Sequence, residues 1–157
     1  MRDVKFSLKQ KLIECDKHYE KILDAKEFLK PLMPLNIERY QNLDKIESSF
    51  IDQLNFRFSK LQDTMGHSIF KLILILSYED VKKMTFLDIL NRLEELEILQ
   101  KDTWLALRET RNEIAHEYSF YEADIVENIN IIYEKADELL QTYQNVKKFL
   151  KNKFNIE

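Results

Sequence analysis

Apolar residues return every three or four positions over residues 4–29, at Val4, Leu8, Leu12, Ile13, Tyr19, Ile22, Leu23, Ala25, Phe28 and Leu29, and this spacing predicts a first helix. Pro31 and Pro34 end it, because proline lacks the donor that a continuing helix needs. Asn36 then reads as the cap of a second helix whose stripe runs through Ile37, Tyr40, Leu43, Ile46, Phe50, Leu54, Phe58, Leu61, Met65 and Ile69 to Leu76. Forty residues of straight helix would reach roughly 60 Å, so a bend is expected, and Gly66 is the natural place for it. Thr85 with Asp88 has the form of a capping box, opening a third helix along Leu87, Leu90, Leu93, Leu96 and Leu99. Asp102 is expected to cap a fourth helix carrying Trp104, Leu105, Leu107, Ile114 and Ala115 and fraying near Ser119. A fifth runs from about Ala123 to Phe149 through Ile125, Ile129, Ile132, Ala136, Leu139, Leu140 and Tyr143. Short connections and broad apolar faces predict an all-α fold, an up-and-down bundle of four to five helices, with residues 1–157 forming one domain.

Composition sharpens this by exclusion. The chain holds one glycine in 157 residues, where average usage of about 7% would give roughly eleven. Walker loops, dinucleotide fingerprints and nucleophile elbows need two or more glycines, and Gly66 stands alone. Hairpin-rich folds are equally disfavoured, since Asn-Gly and Asp-Gly turns are missing. The lone Cys15 permits neither an intramolecular disulfide nor a cysteine-based zinc site, and the expected setting is a reducing, cytoplasmic one. The longest apolar run, Leu72 to Leu76, falls far short of the ~20 residues of a membrane span, and no signal peptide is visible. A net charge of −4 argues against a general nucleic-acid coat, while leaving room for a small local site.

Chemistry concentrates in one segment, Leu107-Arg108-Glu109-Thr110-Arg111-Asn112-Glu113-Ile114-Ala115-His116-Glu117-Tyr118. An Arg-x4-His spacing alone is weak evidence, but these side chains suit RNA cleavage without a metal. Histidine as a residue type ionises near neutrality, so His116 can take a proton from a ribose 2′-hydroxyl or give one to the leaving 5′-oxygen. Arg111 offers a planar fork of donors to a phosphate and to the charge that grows in the transition state. Asn112, four residues before His116, can orient the imidazole. No cofactor is implied, and no set of histidines or cysteines suggests a metal site.

The run Arg111-Asn112-x-x-Ala115-His116-x-Tyr118 resembles the active-site motif of the HEPN superfamily, and the tyrosine resembles the HepT-type toxins within it. The resemblance is specific over residues 104–121 and agrees in architecture over the rest. It implies a metal-independent endoribonuclease that acts as a homodimer, with a nucleotidyltransferase-type antitoxin as partner. It assigns Arg111 and His116 as the catalytic pair, Asn112 as the polar residue after the arginine, and Tyr118 as the acceptor of AMP from the partner. Arg108 receives no fixed role from it, but lies one turn before Arg111 and is a candidate supporting residue. The alternative is a non-catalytic bundle that binds a nucleotidyltransferase as a substrate-binding or regulatory subunit.

Helix geometry adds a constraint. Five residues apart, Arg111 and His116 lie about 140° apart around a helix, so one straight helix does not point both at one phosphate: either the long arginine wraps around the helix, or its end unwinds near His116, or two copies meet across a two-fold axis, the favoured solution. Residues 102–118 hold two arginines against four carboxylates, so cations from elsewhere are needed for RNA, and Lys147, Lys148, Lys151 and Lys153 are the expected reservoir. Several other features are expected to be structural. His67 is expected to make a surface contact with Asp63, and His18 to have no role beyond its neighbours Glu14 and Asp16. Tyr40, Phe50, Phe56, Phe58 and Phe70 are expected in the core or at an interface.

Overall fold

The computed structural model describes residues 1–115 and 121–157. Every regular element among them is helical. In chain order these are α1 (Arg2–Leu29), a 3₁₀ turn (Lys30–Leu32), α2 (Ile37–Gln41), α3 (Lys45–Thr64), a π turn (Met65–Ile69), α4 (Phe70–Leu76), α5 (Phe86–Glu95), α6 (Lys101–Ala115) and α7 (Glu122–Phe154). The long elements alternate in direction. α1 runs against α3, since Lys21 O accepts from Gln53 Nε2 while Glu14 lies by Thr64. α6 runs against α3 and α7 against α1, giving an up-and-down bundle. Among the described residues no helix is long and apolar enough to cross a membrane.

The buried face of α1 is Leu8, Leu12, Cys15, His18, Ile22, Ala25 and Leu29, a spacing of four and three that holds one stripe against α3 and α7. α7 answers with Val126, Ile129, Ile132, Ala136, Leu139, Tyr143, Val146 and Leu150. Where apolar stripes cannot close the seam, polar side chains do. Tyr143 is buried and donates its hydroxyl to Asp16 Oδ1 at 2.6 Å; burial first, and this bond second, push its pKa up. Burial likewise pushes the Cys15 thiol up to about 12, helped by Glu14 and Asp16, so this cysteine is an inert core residue. After Pro31, the main chain of Leu35 is clamped to α7, donating to Asn130 Oδ1 and accepting from its Nδ2.

The second helix is not one continuous element. Asn36 does accept from the Arg39 N–H, but it caps only the five residues of α2. Asn42 turns its side-chain amide back to Glu38 O, and Asp44 with Glu47 forms a complete capping box that starts α3. Those two caps compete with helix propagation and win, because they satisfy the end groups locally. The helical run that starts at Lys45 continues through the π turn into α4 and ends at Leu76. Asp102 also fails as a cap: α6 begins at Lys101, whose N–H is met by Glu94 Oε2 of α5 at 2.7 Å. The capping box of Thr85 and Asp88 is formed. The leucine stripe of α5 narrows to Leu90 and Leu93 with Ile89, while Leu87 is exposed, because leucines three apart drift around a 3.6-residue helix.

Gly66 lies in the π turn, where the helical ladder gains one residue, and its φ is not in the left-handed region. Its value is the missing side chain. A Cβ there would lie 3.3 Å from Trp104 Cζ2, and Trp104 is fully buried, edge-on to Phe70 at 4.6 Å between centroids. Gly66→Ala gains up to ~1 kcal/mol of helix propensity but forces this packed contact, which costs about 1–3 kcal/mol. The expected outcome is a net loss of about 1 kcal/mol, seen as a melting temperature lower by about 2–4 °C; an unchanged or higher value would mean that Trp104 shifts freely.

His18 is not without partners. It is buried on α1, and Arg57 Nη1 of α3 donates to its Nδ1 at 3.0 Å, leaving Nε2 at 3.7 Å from Glu14 Oε1. Burial first, then the positive charge of Arg57, hold its pKa below the ordinary value near 6.5, against the opposing pull of Glu14. The folded protein therefore binds fewer protons here than the unfolded chain. This contribution to stability is complete above about pH 6.5 and is lost as pH falls through the folded value. Urea midpoints measured from neutral pH into mild acid should fall less steeply for His18→Gln than for the wild type; parallel profiles would show that another group carries the acid sensitivity.

Candidate functional site

Arg111 projects from the last turn and a half of α6 toward the C-terminal end of α3, and there it meets Asp63. Nε donates to Oδ1 at 2.9 Å and Nη2 to Oδ2 at 3.0 Å, a parallel two-bond fork. Side-chain exposures of 26% and 30% make this a half-buried pair, intermediate between a solvated ion pair and a core one. The hydrogen bonds that Arg111 donates to Asp63 raise its pKa further, so the guanidinium stays charged while its orientation is set. The close approach of α3 and α6 is what allows the pair: Gly66 against Trp104 brings the two helices together two turns earlier on α6.

Arg108, one turn earlier on α6, is exposed and lies over the ring of Phe86 at the start of α5, 4.8 Å from its centroid. No carboxylate among the described residues pairs with it. Asn112 is exposed beside Arg111. His116 and Tyr118, together with the expected fraying near Ser119, lie outside the described residues. Of the sequence-assigned residues the structure thus brings Arg111 and Arg108 to neighbouring turns of one helix face.

Asp63 changes two expectations. It is committed to Arg111 and so does not serve as the orienting partner of His67, which is exposed in the π turn. It also spends part of the donor set that a phosphate would use. Nothing in the sequence flags a pair separated by 48 positions; the only local signal, the four-residue step to His67, points to the wrong partner.

Within one protomer the C-terminal lysines stand apart from Arg111. Lys147 is bound to Asp16 and Lys151 to Glu157. Lys148 and Lys153 line a shallow groove with Leu96 and Phe149. Thr103 and Thr142 share a groove and so mark one level of the antiparallel α6 and α7. From that level Arg111 lies eight residues one way and Lys148 six the other, about 20 Å apart along the bundle. The groove at Thr103 has a volume of about 700 Å³ and carries Glu94, Glu97, Asp102 and Glu138, a lining that repels anions. It lies away from the Arg111 pair. Among the described residues no group of three or more His, Cys, Asp and Glu side chains is disposed to hold a metal ion.

The strength of the Arg111–Asp63 fork is open to measurement. Asp63→Ala leaves a half-buried guanidinium unsatisfied and should cost about 1–2 kcal/mol in urea unfolding. A double-mutant cycle with Arg111→Ala should return a coupling of about 1 kcal/mol; a value near zero would reduce the fork to an ordinary surface pair.

Comparison of the chain with protein-family models, with curated proteins and with solved structures finds no match.

Proposed function

We propose that this chain is a metal-independent endoribonuclease of the HEPN type, acting as a homodimer and paired with a nucleotidyltransferase-type antitoxin. The observation that carries the reading is Arg111, a charged, oriented guanidinium at the surface of a helical bundle, in phase with Arg108 and at the head of the run Arg111-Asn112-x-x-Ala115-His116-x-Tyr118. In the proposed reaction His116 removes the proton from a ribose 2′-hydroxyl, the 2′-oxygen attacks the adjacent phosphorus, and the 5′-oxygen leaves with a proton, giving a 2′,3′-cyclic phosphate. Arg111 holds the phosphate and the charge that builds on its oxygens. Asp63 acts as a positioning residue: it fixes the plane of the guanidinium at the expense of part of its charge, and the remaining N–H groups face the substrate. The second protomer supplies the group that one straight helix cannot aim at the same phosphate.

A second reading has its own support in the same pair. An arginine neutralised by a two-bond fork is also a good staple between two helices, and a bundle stapled in this way suits a non-catalytic subunit that binds a nucleotidyltransferase.

The two readings part on one experiment. Purified protein should cut single-stranded RNA in the presence of a chelator and leave cyclic phosphate ends, with His116→Ala lowering the rate by at least about 100-fold. Equal cleavage by His116→Ala, or loss of wild-type cleavage in chelator, would sink the nuclease mechanism. A stable complex with a co-expressed nucleotidyltransferase and no cleavage would favour the subunit, whereas AMP found on Tyr118 by mass spectrometry would support the toxin.

A further inference from the structure

We propose that the exposed strip of α3 around Phe56, Arg57 and Lys60 is a binding site for single-stranded RNA, in which a base stacks on the Phe56 ring while the two cations hold neighbouring phosphates. The idea rests on the nuclease reading only for its place in the reaction; the binding itself is a separate property of the strip.

Phe56 is the anomaly that points there. α3 buries Ile51, Leu54, Phe58 and Leu61 on its core face, but Phe56 stands on the opposite face, 52% exposed. Phenylalanine is a mediocre helix former, so neither propensity nor packing accounts for a bare ring at this position. Two cations attend it: Arg57 Cζ lies 5.4 Å and Lys60 Nζ 5.6 Å from the ring centroid. Neither has a carboxylate partner among the described residues, so the charge of both is available to a phosphate. Arg57 does bond His18, but through a neutral acceptor nitrogen that leaves its charge uncompensated. Arg57 and Lys60 thus set positive charge around an exposed aromatic ring. That combination meets the two requirements of single-stranded nucleic acid, a stacking surface and phosphate contacts.

The strip adjoins the Arg111 pair. Phe56 is seven residues before Asp63, about 10 Å along α3. Because α3 and α6 are antiparallel, with Asp63 opposite Arg111 and Gly66 opposite Trp104, Lys60 comes level with Ile114 in the last described turn of α6. Arg108 on Phe86 continues the series on the other side of Arg111. A strand laid along Phe56 and Lys60 would carry its next phosphates over Arg111 toward Arg108. A second copy of the chain fits the strip less well. The next exposed apolar residue along α3 is Ile46, about 15 Å away, so α3 itself offers one ring among charges and no contiguous apolar seam.

The test uses the full chain and a short, fluorescently labelled single-stranded RNA, 2′-O-methylated throughout so that attack by a 2′-oxygen cannot occur. Affinity is read by anisotropy across a range of salt. Phe56→Ala should weaken binding at least fivefold or so, and Phe56→Trp should restore it. Lys60→Ala should reduce the slope of log affinity against log salt by about 0.7, one phosphate contact to a single strand. A duplex of equal length should bind more weakly. Absent binding by the wild type, equal affinity of Phe56→Ala, failure of the tryptophan variant to rescue, or a Phe56→Ala effect confined to self-association would each overturn the proposal. Circular dichroism and melting of Phe56→Ala should match the wild type, since the ring is exposed; an unfolded variant would contradict the surface role. If the methylated RNA binds as expected but unmodified RNA is never cut, the strip stands and the nuclease reading falls.

Discussion

The close crossing of α3 and α6 is the constraint on which the candidate site depends. Two long helices normally keep 8–10 Å between their axes because side chains fill the gap. Here the chain places its single glycine in a π turn against a buried tryptophan, and the missing Cβ lets the indole lie against the backbone. Trp104 gives up something for this: its indole N–H is buried without a hydrogen-bond partner among the described residues. Such a loss is tolerable where a large ring packs edge-on to Phe70 and fills the seam. The consequence appears two turns away, where the same approach brings Asp63 within reach of Arg111.

Polar side chains set the register of the bundle as much as the apolar stripes do. Tyr143 with Asp16, Lys26 with the carbonyl of Tyr133 and with Asp137, Arg57 with His18, and Asn130 with Leu35 each tie helices far apart in sequence. Apolar stripes on helices permit sliding by a turn with little loss of buried area. A half-buried donor or acceptor does not, because a slip would leave it unsatisfied. These bonds therefore fix the register of α1 against α3 and α7, and the Arg111–Asp63 fork does the same for α3 against α6.

The chain-level patterns that proved legible were those with local causes. The extent of α1, the capping box of Thr85 and Asp88, the opening of α7 and the absence of strands among the described residues all follow from spacing and end chemistry within a few residues. The break between α2 and α3 was legible in principle, since Asp44 and Glu47 have the capping-box spacing, but the continuous apolar stripe from Ile37 to Leu76 masked it. Asp102 was misread as a cap because the true partner of the Lys101 N–H, Glu94, belongs to another helix. Phe56 was expected in the core or at an interface, and its exposure removes only the core, because helical spacing alone does not say which face a residue joins when several aromatics crowd one helix.

By itself, the sequence determined the helical class, the periodic stripes that become the core, and the clustering of Arg108, Arg111, Asn112, His116 and Tyr118 in one short segment. These depend on interactions between residues close along the chain, where spacing is a sufficient guide. Only the tertiary structure decided that Arg111 is forked onto Asp63, that the C-terminal lysines of the same protomer stand about 20 Å along the bundle from it, and that an exposed phenylalanine with two cations at its ring adjoins it. Each of those facts depends on which helices cross and how closely, and that was settled by one missing side chain at Gly66 and by polar pairs that no local pattern encodes.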